Sequence, residues 1–454
     1  MAQTVTTLSG HIRAVLTLGI PLIGGHLAQF AIGLTDTVMM GWYGVPELAA
    51  QTVATSYFFT IFLFGAGFAW AIMPMVAAFS ARDDEVQVRR ATRMALWWSA
   101  IYVAASLPLF WYSGALLRLM GQEPRIADLA QDYLRLAAIG LAPALGVMVL
   151  KNYLAGLEHT RIVLYITLAA AVANALANYA LIFGNWGAPE LGIKGAAVAS
   201  VLSHLTALLF VILYAVRVLP QHQLFVRFWR PDWEMFSRVA RIGIPIGVTT
   251  LAEASLFASS AILMGLVGVI PLAAHGIAMT ITSGTFMIHM GLSNAATVRA
   301  GAAYGRGDVV ALDLGARAVL ILGTGAVVLT ILAFLSVPDA LVGAFVDANE
   351  PERDAILAVG RQLLMMAALF QFADAAQVLY LGFLRGLQDT RVPMLIAALS
   401  YWGVGFPAAY ILGITYGYDG IGVWGGMTIG LTVVSVLLAW RFWRQALPGV
   451  ARAA

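Results

Sequence analysis

The chain has 454 residues, of which 61% are hydrophobic and only 11% are charged, with a formal net charge of +3. A water-soluble domain carries about 25% charged residues, so this composition excludes a water-soluble protein. It indicates a protein that mostly contacts lipid. Cysteine is absent, which excludes disulfides and cysteine-ligated metals. We ascribe the basic excess to cytoplasmic loops of a membrane protein and predict no nucleic-acid partner.

Twelve apolar stretches follow one another along the chain, each bounded by charged residues, glycine or proline. A lipid-exposed backbone must satisfy its own hydrogen bonds, and the alternating pattern of a β-barrel is missing. We therefore predict an all-α integral membrane protein with twelve transmembrane helices in two pseudo-symmetric six-helix bundles. The predicted spans are 15–41, 53–80, 93–118, 131–153, 162–184, 194–217, 239–265, 273–302, 315–345, 357–384, 392–414 and 421–443.

The basic residues predict which side of the membrane each loop faces. Loops after odd-numbered spans hold few of them: Arg118, Arg125, Lys194 and Arg353. Loops after even-numbered spans hold many more: Arg82, Arg89, Arg90, Arg93, Arg161, Arg217, Arg227, Arg230, Arg238, Arg306 and Arg391. Because cytoplasmic loops carry the excess of Lys and Arg, we predict a multi-pass protein of the cell inner membrane with both termini in the cytoplasm.

The second half of the chain repeats the first. A Gly-Ile-Pro motif at 19–21 recurs at 243–245, 224 positions later. Six crossings per copy is an even number, so both copies enter the membrane in the same orientation, as in transporters built from parallel repeats. We predict an N-terminal lobe at 1–217, a cytoplasmic linker at 218–237 and a C-terminal lobe at 238–454. This organisation favours transport over duplication for stability alone.

Two acidic residues of the second half lie deep inside predicted spans. A charged side chain at the membrane centre costs about 2.5–3.5 kcal/mol on insertion scales, so it indicates function by default. Glu253 lies 12 residues after Arg241, and Asp374 lies 11 before Arg385. Both are therefore about 16–18 Å from the cytoplasmic edge, a depth that permits a shared site for Na⁺ or a proton. The alternative is that Ser, Thr or backbone groups satisfy each acid.

A third membrane acid, Asp36, lies nearer the outer side, where the repeat aligns it with Ser260. Asn178 lies 17 residues after Arg161, at a similar level, and Asn174 is one turn away on the same helix face. We predict a polar cluster of Asp36, Asn174 and Asn178 that takes part in cation or proton coupling. Paired asparagines also serve as ordinary contacts between helices, which is the alternative.

Aromatic and polar residues inside the spans could line a cavity for flat cationic compounds. Lipid contact or core packing is the alternative for each of them. The candidate cavity residues are Gln29, Phe64, Phe68, Phe286, Met287, Phe370, Gln377 and Tyr401.

Several motifs that would indicate other chemistry are missing. The sequence has no Gly-rich phosphate loop ending in Lys-Ser or Lys-Thr, so we predict that the chain does not hydrolyse ATP. It also lacks a His-Glu-x-x-His zinc motif and a Gly-x-Ser-x-Gly nucleophile elbow. We therefore predict that the protein is not an enzyme and uses no cofactor other than a coupling ion.

The chain resembles the multidrug and toxic compound extrusion (MATE) family, in its NorM-like branch. The resemblance is carried by the Gly-Ile-Pro motifs that open both halves and by three acidic motifs. These motifs are Thr35-Asp36-Thr37, Leu251-Ala252-Glu253 and the segment 371–378, which contains Asp374. The segment 386–391, Gly-Leu-Gln-Asp-Thr-Arg, completes the match, which spans essentially the whole chain.

The resemblance implies an antiporter with twelve helices that exports organic cations and other hydrophobic drugs in exchange for Na⁺ or H⁺. It implies that Glu253 and Asp374 form the cation site of the second lobe, as metal ligands if the ion is sodium. It also implies that Asp36, Asn174 and Asn178 form a polar cluster in the first lobe. Similar sodium sites often carry a tyrosine one turn before the second acid, whereas this chain has Phe370. That departure puts sodium coordination in doubt and leaves proton coupling open.

Two other functions compete with drug export. A lipid-linked oligosaccharide flippase of related architecture would need Arg or Lys in its cavity to bind an anionic headgroup. The deep charges identified in this sequence are acidic, and almost all basic residues cluster at helix ends. A membrane-embedded enzyme would need a nucleophile with a base, and we find no such pair.

Overall fold

The computed structural model describes residues 7–453, and within this range it contains helices and no β-strand. Twelve helices in this range are long and apolar enough to cross a membrane, which confirms the predicted fold class. They are α1 (Leu8–Tyr43), α2 (Val45–Ser80), α3 (Glu85–Trp111), α4 (Pro124–Gly156), α5 (Thr160–Phe183), α6 (Ile193–Val218), α7 (Trp233–Val267), α8 (Val269–Arg306), α9 (Val309–Ser336), α10 (Arg353–Gly386), α11 (Arg391–Thr415) and α12 (Asp419–Arg452).

Two predicted spans extend past a break in the helix. The predicted span 93–118 is interrupted at Tyr112, where a short helix, Ser113–Leu119, follows α3. The predicted span 315–345 is interrupted after α9, and the short helix Pro338–Gly343 follows. Both short helices are largely apolar, so hydrophobicity does not fall at either break, although Pro338 marks the second break in the sequence. Proline is accommodated at the start of the second because the first turn of a helix needs no partner for its N–H.

The chain forms two compact units whose boundaries lie inside helices. The N-unit is Gly24–Gly247, and the C-unit comprises the described residues up to Ile23 together with those from Val248 onward. The start of α1 therefore belongs with the second half of the chain, and the start of α7 belongs with the first half. The predicted lobes were drawn from the sequence repeat, and their limits at 217 and 238 stay a prediction.

Glycine allows two helices of the N-unit to approach closely. A Cβ atom on Gly67 of α2 would lie 2.4 Å from the carbonyl oxygen of Gly243 and 2.6 Å from the nitrogen of Gly247, both on α7. No side chain fits in that space, so only glycine permits this backbone contact.

The C-unit has a similar close contact between α8 and α10. A Cβ atom on Gly382 would lie 2.6 Å from the carbonyl oxygen of Ser293. Ser293 Oγ donates a hydrogen bond to the Val378 carbonyl at 2.7 Å, and Thr297 Oγ1 donates to the Gly382 carbonyl at 3.0 Å. Small residues and hydroxyl bonds of this kind hold membrane helices together, since lipid is as apolar as the helices themselves. They fix the position of α10, which carries Asp374.

The connection between α6 and α7 is held by side chains of α3. Arg93 Nε donates to the Leu224 carbonyl at 2.6 Å, and Trp97 Nε1 donates to the Phe228 carbonyl at 3.0 Å. Arg90 Nε donates to the Asp232 carboxylate at 2.5 Å. Asp232 also accepts from the backbone N–H of Met235 at 3.1 Å, so it caps the start of α7.

The Arg90 guanidinium lowers the pKa of Asp232 below its ordinary value of 3.8. A carboxylate with a lowered pKa stabilises the fold above the unfolded-state pKa of about 4, and this contribution is lost as the pH falls through the folded-state pKa. We expect Asp232→Asn, which keeps the cap but removes the charge, to reduce the free energy of unfolding at neutral pH by about 1 kcal/mol. The difference from the wild type should shrink below about pH 4. Thermal unfolding of the detergent-purified protein across this pH range measures both effects.

Glu234→Gln is the matched control for this substitution. Glu234 also accepts from Arg90, at 2.9 Å, but its side chain is 86% exposed, so its loss should leave stability unchanged. An equal loss in both variants, or a deficit of Asp232→Asn that does not change with pH, would contradict this account.

Candidate ion-binding sites

Three polar side chains form a hydrogen-bonded chain between α7, α10 and α11 in the C-unit. Gln377 Nε2 donates to Glu253 Oε1 at 2.5 Å, and the Tyr401 hydroxyl donates to Gln377 Oε1 at 2.6 Å. Gln377 and Tyr401 are fully buried. Buried polar groups need partners, and these bonds hold the Glu253 carboxylate toward α10.

The second acid of the C-unit, Asp374, lies one turn before Gln377 and is only 2% exposed. Its Oδ1 atom has no hydrogen-bond partner among the described residues. Glu253 is close enough that the two carboxyl groups interact electrostatically. The structure therefore brings together the two acids that the sequence singled out. Two interacting carboxylates, one of them buried, are unfavourable unless a proton or a cation neutralises one of them.

Arg385 is a third charged group near this pair. It lies 11 residues after Asp374 on α10, which returns to the same helix face after three turns. Arg385 is within electrostatic range of both Glu253 and Tyr401. In the sequence Arg385 marked only the cytoplasmic end of the helix, although the spacing of 11 residues could have placed it on the same helix face as Asp374.

Phe370, at the position where a tyrosine is often found, packs in an aromatic cluster. Its ring centroid lies 6.0 Å from that of Phe257 and 5.4 Å from that of Trp424. It therefore brings no oxygen to the acids. The phenolic hydroxyl of this site comes instead from Tyr401 on α11, and it is directed to Gln377.

Asp36 of the N-unit lies among amide groups of α5. Asn178 Nδ2 donates to Asp36 Oδ1 at 2.5 Å and to Asn174 Oδ1 at 3.2 Å. Asn174 and Asn178 are almost completely buried. The structure thus brings the three predicted residues together, and the amide donors stabilise a carboxylate that burial would otherwise disfavour.

Two further residues border this cluster. Tyr133 of α4 lies within electrostatic range of Asp36 and beside Ser200 of α6. Neither could be predicted, since a lone tyrosine or serine in an apolar helix carries no signal about the neighbour it faces.

The candidate cavity residues differ in how accessible they are in this structure. Phe68, Phe370, Gln377 and Tyr401 are at most 2% exposed, so their side chains are packed within their units. Phe64, Phe286 and Met287 are partly exposed, and Gln29 is exposed. A role of these eight residues in binding substrate stays a prediction.

We expect Tyr401→Phe to destabilise the C-unit, because it leaves the buried Gln377 Oε1 without a donor. An unsatisfied buried acceptor costs about 1–3 kcal/mol, which would lower the melting temperature of the detergent-purified protein. Tyr410→Phe on the same helix is the control, since Tyr410 is 45% exposed. An unchanged melting temperature for Tyr401→Phe would show that its hydroxyl does not support Gln377.

Comparisons with known proteins agree with this architecture. The sequence model of the MatE family matches residues 21–180 and 245–411. A probable multidrug resistance protein NorM of Rhizobium meliloti is 46% identical over 446 residues, which cover 98% of this chain and 96% of the relative. A protein of the same description from Agrobacterium fabrum is 41% identical over 448 residues, which cover 97% of this chain and 96% of the relative.

Solved structures share the fold at lower sequence identity. The eukaryotic MATE transporter AtDTX14 superposes with a TM-score of 0.88 at 18% identity, over 98% of both chains. An outward-facing MATE family transporter of the MOP superfamily superposes with a TM-score of 0.87 at 20% identity, over 97% of this chain and 96% of that one. The protein therefore belongs to the MatE family of multi-pass membrane transporters, which are not enzymes, and to its NorM-like branch.

Proposed function

We propose that this protein exports organic cations and hydrophobic drugs in exchange for Na⁺ or H⁺, by exposing its binding site alternately to the two sides of the inner membrane. The relatives from Rhizobium meliloti and Agrobacterium fabrum are described as probable multidrug resistance proteins and match almost the whole chain. This likeness supports drug export as the activity.

The observation that carries the proposal is the acidic pair of the C-unit, in which Asp374 is buried and Glu253 is partly exposed. Asp374 is 2% exposed and leaves one carboxylate oxygen without a hydrogen-bond partner among the described residues, beside Glu253. A salt bridge to a fixed basic residue would neutralise such a carboxylate permanently. An oxygen without a permanent partner suits a site that binds and releases a positive ion in each transport cycle.

Exchange follows from competition for negative charge. When the coupling ion enters from outside, it neutralises the pair and weakens the attraction for a cationic drug, so the drug is released. When the ion leaves toward the cytoplasm, the negative charge returns and favours binding of the next drug. This coupling is reciprocal, since each positive ligand must weaken the other by the same factor.

The carboxylate oxygens of this site suit either coupling ion. Sodium prefers oxygen ligands, which Glu253 and Asp374 supply, whereas a proton needs only one carboxylate of the pair. Phe370 contributes no hydroxyl oxygen to a sodium shell, because its ring packs against Phe257 and Trp424. Asp36, with Asn174 and Asn178, supplies a second site for a proton or cation in the N-unit.

The proposed orientation places both termini in the cytoplasm. It rests on the arginines that concentrate in loops after even-numbered helices, such as Arg82, Arg161 and Arg306. In this orientation the coupling ion moves down its gradient into the cell while the drug moves out.

We expect Asp374→Asn and Glu253→Gln to abolish ion-coupled efflux of ethidium from cells at normal expression. Each variant keeps the shape of its side chain but cannot carry the negative charge that the two positive ligands exchange. Asp339→Asn is the control, since Asp339 is half-exposed and pairs with Arg361 at a distance of 2.7 Å. Efflux at the wild-type rate in either acid variant would refute the assignment.

Proteoliposomes with a single imposed gradient identify the coupling ion. Uptake of a fluorescent organic cation should follow a Na⁺ gradient or an H⁺ gradient, and it should be lost in Asp374→Asn. Uptake driven by neither gradient would contradict antiport.

A further inference from the structure

A buried histidine that the proposed mechanism does not use lies in the C-unit. His289 of α8 is 0% exposed. Gln371 of α10 is close enough to interact with its ring, yet neither ring nitrogen makes a hydrogen bond of normal geometry with any described residue. Because buried polar groups almost always have a partner, an imidazole with two unpartnered nitrogens calls for an explanation.

Hydrogen bonds fix the register of α8 against α10. Ser293 Oγ donates to the Val378 carbonyl and Thr297 Oγ1 donates to the Gly382 carbonyl. In both pairs the acceptor lies 85 residues after the donor. Because the two pairs share this offset, the helices run side by side in the same direction over this stretch.

This register places His289 level with Asp374, which also lies 85 residues later. Each of the two residues lies one turn before the first of these contacts, so both are near the packed faces of their helices. The helices remain in contact beyond this level, since Gln371 Nε2 donates to Thr285 Oγ1 at 2.5 Å. The imidazole and the carboxyl group therefore lie at one height between two points of contact.

Unpartnered polar atoms collect at this height. Asp374 Oδ1, Gln371 Oε1 and both ring nitrogens of His289 have no hydrogen-bond partner among the described residues. All three side chains are at most 2% exposed. Such atoms are uncommon in a buried region, whereas hydrogen bonds that transfer a proton are often long or poorly aligned at rest. The arrangement therefore suits a proton that moves between these groups.

The charged group that His289 faces is Asp374, with Glu253 beyond it. On α8 and α10 themselves, the nearest other charged or histidine residues are at least ten residues away along the helix: His275, Arg299, Arg361 and Arg385. The start of α1, α9 and α12 also pack against α8. Their charged and histidine residues lie near helix ends: His11, Arg13, Asp313, Arg317, Asp419, Arg441, Arg444 and Arg452. A proton on His289 therefore meets one acceptor, the acidic pair.

We propose that His289 is a proton-relay residue that passes the coupling proton to and from Asp374. This inference rests on the proposed antiport and selects H⁺ as the coupling ion. A neutral imidazole has one N–H and one bare nitrogen. A proton that binds the bare nitrogen gives an imidazolium, which releases its other proton to the Asp374 carboxylate and returns to the neutral form. One O–H bond forms as one N–H bond breaks, so protons and charge balance.

The polar groups beside His289 indicate the side from which the proton arrives. Gln371 Nε2 donates to Thr285 Oγ1 at 2.5 Å and to the Thr282 carbonyl at 3.4 Å. These groups lie on the side of Asp374 away from Arg385. In the proposed orientation this is the outer side of the membrane, so the proton reaches the relay from outside.

Two amide variants test the relay, since asparagine and glutamine can replace a hydrogen bond of either ring nitrogen but cannot carry a proton. We expect His289→Asn and His289→Gln to slow H⁺-driven uptake of a fluorescent organic cation into proteoliposomes by about a hundredfold, the lower end of what a positioned proton-transfer group contributes. A relay changes a rate and leaves equilibria alone. The affinity of both detergent-purified variants for the dye, and its change with pH, should therefore match the wild type, whereas Asp374→Asn should abolish the change with pH.

His275→Gln is the matched control on the same helix. This buried histidine has a partner at each ring nitrogen, Trp424 Nε1 at 3.1 Å and Ser260 Oγ at 3.5 Å. Its ring is held in place and faces no acid, so uptake should stay at the wild-type rate.

Three outcomes would overturn the relay. The first is uptake at the wild-type rate in either amide variant, which would show that His289 supplies only a hydrogen bond. The second is a loss of dye affinity in both amide variants, or an equal slowing in the control, either of which would indicate a structural role. The third is wild-type uptake that follows a Na⁺ gradient and ignores an H⁺ gradient. Wild-type uptake driven by neither gradient would instead refute antiport, so the two failures are distinguishable.

Discussion

The structure depends on the cost of placing ionisable groups where water is scarce. Glu253 receives a hydrogen bond from Gln377, and Asp36 receives one from Asn178, each from a neighbouring helix of the same unit. Asp374 is the exception, since one of its oxygens has no partner among the described residues. If the protein donated a hydrogen bond to every oxygen of Asp374, this carboxyl group would stay in a single protonation state. The unpartnered oxygen of Asp374 therefore connects the packing of α10 with the proposed binding and release of a positive ion.

Helix packing determines where these groups can meet. The close contact of α8 and α10, through Gly382 and the hydroxyls of Ser293 and Thr297, fixes the height of Asp374 in the C-unit. Such contacts use small residues because membrane helices gain little from burying apolar surface against each other. Asp374 thus lies on a helix whose position is set by contacts through glycine, serine and threonine.

Much of the fold and part of the site could be predicted from the sequence. Twelve helices followed from hydrophobic length, and the meeting of Asp36 with Asn178 followed from counting residues along helices of known rise. The break at Tyr112 could not be predicted, because the composition stays apolar across it, whereas Pro338 marked the break after Ser336 and was overlooked. The hydrogen bond from Tyr401 to Gln377 was also missed, since the neighbour that a side chain faces depends on helix rotation and on contacts distant in sequence.

The central claim is that one pair of carboxylates, Glu253 and Asp374, serves both the coupling ion and the cationic drug. Its most direct test is reciprocity of binding in the purified protein. We would measure the affinity for a fluorescent organic cation with and without saturating coupling ion, and the affinity for that ion with and without saturating drug. The account predicts that each ligand weakens the other by the same factor. Drug affinity that changes with neither Na⁺ nor pH would contradict it.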